Sequence, residues 1–434
     1  MCWRGGISRK SARAIRHQKF FLSAIQGIIE RDAQRNSEAR RNRDLHGADD
    51  NMKNAGCTLA QQEDVVNLRL NLIGFGNVGR ELARILLHKG QEFCVSHRAG
   101  FKVTAIATGR HGCIVNHNGL DLARVLDILE SGERLDTLGP HEGQDTSLQT
   151  ALDIIRDAPG DIMVELTPLN PHTGQPAISH IEAALIAGKH VVSANKGPIA
   201  YAYSELACLA AQRGLKFLFE STVMDGTPIF NMSKYCLRGT PILGFKGILN
   251  STTNFILGEM EKGSDFHDSV AKAQEMGFAE ADPSMDLEGW DAAVKVAVLS
   301  NVLMGMQITP RDVDRTGITG VTKAQVQEAL KQGKRIKLVA EAGSVLDSGN
   351  HSPKASSPGD REKTFYARVM PVNVDAASVF GQIDGTTSCV SIRTGLMGDI
   401  TLIEHAPELA QTAYGVLNDL LEIAACVQGG HSAR

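Results

Sequence analysis

The first apolar run of strand type, residues 69–73, leads straight into Gly74-Phe75-Gly76-Asn77-Val78-Gly79 and then into an amphipathic helical pattern over 80–89. Strand-length apolar runs return at 101–107, 161–166, 190–193 and 216–219, with helical stretches such as 178–187 between them. Such alternation predicts a doubly wound α/β domain. Beyond it the style changes. Residues 242–249 read as a strand, followed by the polar Asn250-Ser251-Thr252-Thr253-Asn254 and a helix over 255–261. Further strand-like segments at 364–371, 390–393 and 399–403 predict a second, α+β domain, and an apolar helix over 412–426 closes the pattern. The most apolar helix is read from Asp286, as N-cap, through Met304; with almost no polar face it belongs inside a domain.

Composition fits this division. The chain has 434 residues, enough for two cores, and a formal net charge of −4, which suggests neither a nucleic-acid surface nor a polyanion-like protein. Charge is uneven only at the start: residues 1–29 hold Arg4, Arg9, Lys10, Arg13, Arg16 and Lys19 and no acid. Residues 1–65 are therefore read as a disordered basic extension, with three explanations: an organellar targeting segment, a tail that binds something acidic, or a mis-assigned start ahead of Met52. The third is preferred. The eight cysteines show no CxxC or CxxH spacing, so no zinc site or redox pair is expected, and reduced thiols point to the cytoplasm. No apolar run reaches the roughly 18 to 20 residues of a membrane span.

Candidate chemistry falls at three places. Gly74, Phe75, Gly76, Asn77, Val78 and Gly79 form GxGxxG between a strand and a helix, the Rossmann context in which free helix amides and close backbone approach suit a dinucleotide pyrophosphate. The second strand ends in Thr108-Gly109-Arg110-His111 without the acid that would bind a ribose 2′-hydroxyl, so Arg110 favours NADP over NAD; the alternative is a solvated turn arginine. Thr167 and Lys196 end later strands, at the edge where open parallel sheets bind ligands. The third place is the stretch 277–295, in which Glu280, Asp282, Asp286, Glu288 and Asp291 precede Lys295 at the mouth of the apolar helix. Asp291 and Lys295 are one turn apart on one face. A surface ion pair would be the ordinary reading, but that face continues as Val298 and Val302, so a buried, coupled pair of the catalytic type is expected.

Over residues 68–425 the chain resembles the homoserine dehydrogenases. The resemblance is carried by GFGNVG, SANKGP with Lys196, ESTVMDGTPIF from Glu220, GILNSTTNFIL from Gly247 and, above all, GFAEADPSMDLEGWDAAVK. It implies NAD(P)H-dependent reduction of L-aspartate 4-semialdehyde to L-homoserine, on the route to threonine, methionine and isoleucine. It assigns Lys295 as proton donor, Asp291 as its partner and Lys196 as a second lysine between nicotinamide and substrate. Glu280 and Asp286 would bind the substrate ammonium. A structural monovalent cation such as sodium would sit at Glu220, Val223, Asp225 and Thr227, and the enzyme would be a homodimer. The implied division is 66–220 for the dinucleotide-binding domain, 221–404 for the catalytic and dimerisation domain, and 405–434 for a helix returning to the first. Three features depart from the family pattern: His405-Ala406-Pro407-Glu408-Leu409-Ala410 replaces a glycine-rich loop, the N-terminal extension is unlike the family's short start, and no C-terminal regulatory domain is expected, making this a short form. The rival readings are a dehydrogenase of another small amino acid or its aldehyde, and a non-catalytic dinucleotide sensor.

Overall fold

The computed structural model describes residues 65–138, 143–344 and 365–432. The basic start, Met52 and most of the Ser, Gly and Pro-rich segment before residue 364 lie outside them. The first lobe is built from β1 (Val66–Ile73), α1 (Asn77–His97), β2 (Ala99–Ala107), β3 (Cys113–Val115), α2 (Leu122–Glu130), α3 (Ala151–Asp157), β4 (Ile162–Glu165), α4 (Ala177–Ile186), β5 (His190–Ser193), α5 (Gly197–Gln212) and β6 (Phe217–Leu218). Its sheet runs β3-β2-β1-β4-β5-β6, parallel except for β3. β1 is central because both its faces are apolar: Leu70, Leu72 and Ile73 are fully buried. Its one inward polar side chain, Asn71, is satisfied by the Thr104 hydroxyl at 3.1 Å, the Pro159 carbonyl at 3.0 Å and the Lys189 ammonium at 2.7 Å.

The second lobe follows with α6 (Ile229–Cys236), β7 (Ile242–Ile248), α7 (Ser251–Glu261), α8 (Phe266–Glu275), α9 (Ser284–Leu287), α10 (Trp290–Met304), β8 (Asp314–Arg315), α11 (Lys323–Lys331), β9 (Lys334–Ser344), β10 (Phe365–Asp375), β11 (Ser388–Thr394), β12 (Gly398–Glu404) and α12 (Leu409–Ser432). Its sheet order is β12-β11-β7-β9-β10-β8, antiparallel apart from the short β8. Helix α10 is buried against it through Ala293, Val296 and Ala297. Helix α12 leaves this lobe: Ala413, Val416, Leu417 and Leu420 share a core with Leu82 and Ala83 of α1.

One expectation is corrected here. Residues 286–304 are not a single helix capped by Asp286: α9 ends at Leu287, Gly289 turns the chain with a left-handed φ of 81°, and α10 starts afresh at Trp290 with Gly289 as N-cap. The acids before the helix therefore sit on a separate short element that can face the first turn of α10. Strand β9 and helices α8 and α11 were not foreseen from the pattern.

Candidate active site

Three strand ends converge. β5 runs through Ala194 and Asn195 to Lys196, which stands at the N-terminus of α5. Asn195 fixes this turn to the end of β4, its amide donating to the Thr167 carbonyl at 2.9 Å while its oxygen accepts the Gly197 N–H at 2.9 Å. From the other lobe, β7 ends in Leu249 and Asn250, and the first turns of α10 present Asp291 and Lys295. Asp291 ties the ends of β5 and β7 to α10: Oδ1 lies 2.8 Å from the Lys196 ammonium, Oδ2 lies 2.9 Å from Lys295, and Oδ2 also accepts from the Asn250 amide at 3.1 Å. Lys295 donates in addition to the Leu249 carbonyl at 2.5 Å. The i,i+4 pairing is as the sequence implied; that Asp291 also holds Lys196 is new.

Electrostatics follow from this geometry. Burial alone would push the Asp291 carboxyl upward, but the Lys196 and Lys295 ammonium groups outweigh it and hold it well below the ordinary carboxylate range. For Lys295, burial would favour the neutral amine, yet Asp291 overrides it and keeps the group charged. Asp286 is different. Burial and then the neighbouring Asp291 push its carboxyl up, with relief from the Asn250 amide at 2.7 Å. Asn250 thus donates to both acids, while its own oxygen caps α7 at the Thr253 N–H, 2.9 Å away. Glu280 is exposed, and among the described residues its carboxylate has no hydrogen-bond or ion-pair partner. Asp282 and Glu288 are exposed too.

The glycine loop has the form expected of a dinucleotide cradle. A Cβ on Gly74, at φ +94°, would lie 2.5 Å from the Leu166 carbonyl carbon, whereas one on Gly76 would meet nothing within 4 Å. Gly76 therefore faces open space at the start of α1, which has no side-chain cap and no acid in its first turn. Free amides at Asn77, Val78 and Gly79 suit an anion. The Phe75 side chain is buried in the core, so only its backbone is open to a ligand. Arg110 is exposed on the turn after β2, and its guanidinium has no partner among the described residues. The Thr167 hydroxyl is taken by buried Glu165, which also holds His180 at 2.9 Å.

The residues expected to hold a cation form the turn before α6. The Glu220 carboxylate caps that helix, accepting the Phe230 and Asn231 N–H groups at 2.8 Å each, and so is not free for a metal. Met224 and Asp225 are left-handed at φ 56° and 49°. The Thr227 carbonyl accepts from Ile229 at 2.7 Å, but none of the described turn hydrogen bonds ends on the carbonyls of Val223 or Asp225. No cluster of three metal-binding side chains exists among the described residues, so any cation here would rest on such carbonyls. Beside them Glu404 ends β12, its carboxyl raised to about 7 by burial and by Asp225, with Oε2 unpartnered. In the loop that follows, Ala406 is left-handed at φ 42°.

Sequence reasoning missed Asn250, Asn195 and the Leu249 carbonyl. The available signal was positional: Asn250 follows β7 as Lys196 follows β5, at a strand end.

Two family models match the chain: "Homoserine dehydrogenase, NAD binding domain" over residues 74–220 and "Homoserine dehydrogenase" over 228–421. A homoserine dehydrogenase of Methanocaldococcus jannaschii is 35% identical over 353 residues, 81% of this chain and 97% of that protein. An NAD(+)-dependent homoserine dehydrogenase of Pseudomonas canavaninivorans is 34% identical over 355 residues, covering 82% and 96%. Among solved structures, a putative homoserine dehydrogenase from Archaeoglobus fulgidus superposes with TM-score 0.68 at 30% identity, covering 82% of this chain and 99% of that one. A hyperthermophilic archaeal homoserine dehydrogenase in complex with NADPH gives 0.66 at 28%, covering 82% and 97%.

Proposed function

The chain belongs to the homoserine dehydrogenase family, and from that premise we propose that Lys196, Asp291 and Lys295 are the groups on which its hydride transfer is built. It is an NAD(P)-dependent oxidoreductase acting on the CH–OH group of homoserine. In the reductive direction, bound NAD(P)H supplies a hydride to the aldehyde carbon of L-aspartate 4-semialdehyde. The carbonyl oxygen then gains a negative charge and must receive a proton. Two ammonium groups held apart by one carboxylate are arranged for this. Lys295 is clamped by Asp291 and Leu249 O, leaving its third N–H for the developing alkoxide, so we assign it as proton donor. Lys196 follows the carboxyl end of β5, at the edge of the sheet where ligands of open parallel sheets bind, and stabilises the same oxygen.

Asp286 is the inner ligand of the substrate ammonium: it is a half-buried acid beside Asp291, and a cation relieves that repulsion. Glu280, exposed on the adjoining loop, is the outer one. Gly74, Gly76 and the amides of residues 77–79 hold the pyrophosphate, with Thr167 at the neighbouring strand end. The unpaired Arg110 supports NADP over NAD. The turn carbonyls of Glu220, Val223, Asp225 and Thr227 are the proposed place of a sodium-type ion. We further propose a homodimer through the second sheet, where β10 and β12 expose Phe365 and Ile403, and a cytoplasmic location, which suits the unpaired described cysteines. Among the described residues no helix is long and apolar enough to cross a membrane.

The observation behind this reading is the bridging of both lysines by Asp291. It is tested by homoserine-dependent reduction of NADP and NAD, followed at the nicotinamide absorbance, for wild type, Lys295→Ala and Arg110→Ala. Lys295→Ala should lose at least about a hundredfold in turnover. Unchanged turnover would shift proton delivery to Lys196. Arg110→Ala should raise the KM for NADP more than that for NAD, and equal effects would remove the 2′-phosphate argument.

A further inference from the structure

Trp290 is the first residue of α10, directly before Asp291. It is half-buried, and its indole is gripped from both lobes. Arg315 of β8 lays its guanidinium over the ring, 3.9 Å from the centroid, and is itself fixed by a hydrogen bond to the Glu288 carbonyl. From the first lobe, the His172 ring meets the indole at 5.6 Å and 82°, an edge-to-face contact. A planar cation on an indole and a ring set at right angles to it are both directional, unlike aliphatic packing.

His172 lies between β4 and α4, in a segment anchored to the same turn as Lys196. Asn195 donates to the Pro168 carbonyl at 3.3 Å, and the Tyr201 hydroxyl, near the start of α5, donates to the Pro171 carbonyl at 2.6 Å. Gly174, left-handed at φ 68°, approaches so closely that a Cβ on it would stand 2.9 Å from the Gly197 carbonyl oxygen. Asn170 braces the bend, its side-chain oxygen accepting the His172 N–H at 3.1 Å. His172 therefore moves with Lys196, as Trp290 moves with Asp291. Further along α10, Asn301 donates to the Ile199 carbonyl at 3.2 Å and fixes the second half of that helix to the start of α5. The first turn of α10, which follows the left-handed Gly289, is held to the first lobe by the Lys196 to Asp291 ion pair and by the Trp290 to His172 contact.

We propose that Trp290 is a positioning residue for the hydride transfer: clasped by His172 and Arg315, it fixes the first turn of α10 against the Lys196 turn and so sets the separation of Lys196 from Asp291 and Lys295. The reason is mechanical. A single ion pair between two bodies leaves them free to roll about it, and a second contact at its side removes that freedom. The ion pair is also the contact that the reaction disturbs. As alkoxide charge develops, the Lys196 ammonium turns part of its attraction from Asp291 to the substrate oxygen, whereas a contact between two rings is not drawn on and keeps the gap unchanged. A displacement of about 1 Å at such a site can cost roughly a hundredfold in rate. This role rests on the function assigned to the lysine cluster above.

The test is stopped-flow homoserine oxidation on the full chain at saturating cofactor and substrate, with homoserine deuterated at its hydroxymethyl carbon marking the hydride step. Trp290→Leu and His172→Ala should each slow that step at least about fivefold, while the KM for the cofactor stays within about twofold. Trp290→Phe, which keeps a ring against His172, should return it to within about threefold of wild type. The double variant His172→Ala/Trp290→Leu should lie within about twofold of the slower single one, since both remove the same contact. His172 is exposed, so His172→Ala decides the matter should Trp290→Leu misfold. In a Trp3→Phe background, where Trp290 is the one tryptophan left, His172→Ala should also increase acrylamide quenching of the fluorescence. A hydride step at the wild-type rate in Trp290→Leu and His172→Ala, losses that simply multiply in the double variant, or unchanged quenching would overturn the positioning role. With Lys295→Ala inactive, each of those results would leave the lysine cluster standing. Full turnover in Lys295→Ala would overturn the cluster and this role with it.

Discussion

Asp291 is placed to do more than pair with Lys295, and the difference can be measured. Its two oxygens are divided between Lys196 and Lys295, which lie on separate lobes. Asp291→Asn keeps the shape and removes the charge. Lys295, kept protonated by that charge against its own burial, should then give up its proton more readily. The variant should lose about a hundredfold or more in kcat, with a pH profile of homoserine oxidation displaced toward acid. A profile unmoved from wild type would mean that the carboxylate only supports the fold. Asn250 calls for a second test. Asn250→Ala removes the donor shared by Asp286 and Asp291 together with the cap of α7, so it should raise the homoserine KM about tenfold and cost roughly 1 kcal/mol in urea unfolding. Stability lost with KM unchanged would reduce Asn250 to a cap. The Asp291 to Lys295 pairing could be read from i,i+4 spacing alone. Lys196 and Asn250 could be read only as strand-end residues, because what makes them partners of Asp291 is a fold that brings together positions 95 and 41 residues away.

At the scale of elements, the helix expected from Asp286 shows where pattern reading stops. Apolar periodicity located α10 but not its start, since Asp286 is a good cap by type and the break is made by Gly289 through its φ of 81°. A Cβ there would also meet Val369 Cγ1 at 3.3 Å. Gly289→Ala should therefore destabilise by about 1 to 2 kcal/mol in urea unfolding and lower kcat, because the first turn of α10 would shift with Asp291 on it. Wild-type stability in this variant would show that the left-handed turn is not required. β9 was missed for the opposite reason. Its sequence, KRIKLVAEAGS, looks solvated, yet Lys337 is fully buried, donating to Asn254 Oδ1 at 2.8 Å and the Ile383 carbonyl at 2.6 Å, and Arg335 pairs with Glu261 and Asp384. Those partners are 46 to 83 residues away, so the charges that hid the strand are satisfied by elements no local window contains.

Across the whole molecule, two described lysines apart from the site are hidden, one in each lobe: Lys189 at 4% exposure beside Asn71 and the Ala158 carbonyl, and Lys337 at 0%. Burial pushes each down to about 8, Lys337 further assisted by Arg335. An unfolded lysine titrates near 10.4, so above pH 8 the unfolded chain holds protons that the folded one has released, and the free energy of unfolding rises with pH. Below 8 both states are protonated and the slope vanishes. Cys389 near Lys337 works the other way, since burial raises its thiol to about 11 and its stabilisation is lost as pH climbs past the ordinary thiol value. The clean window is therefore pH 8 to about 9, where each lysine should add up to about 1.4 kcal/mol per pH unit. Lys189→Met and Lys337→Met should both lower stability, by leaving carbonyls unpaired, and both flatten that slope in urea titrations at the two ends of the window. Slopes equal to wild type in both variants would remove the two lysines as its source. The pair also reports on cooperativity: if the lobes unfold together, each substitution flattens the same single transition, and if they unfold separately, each flattens only its own.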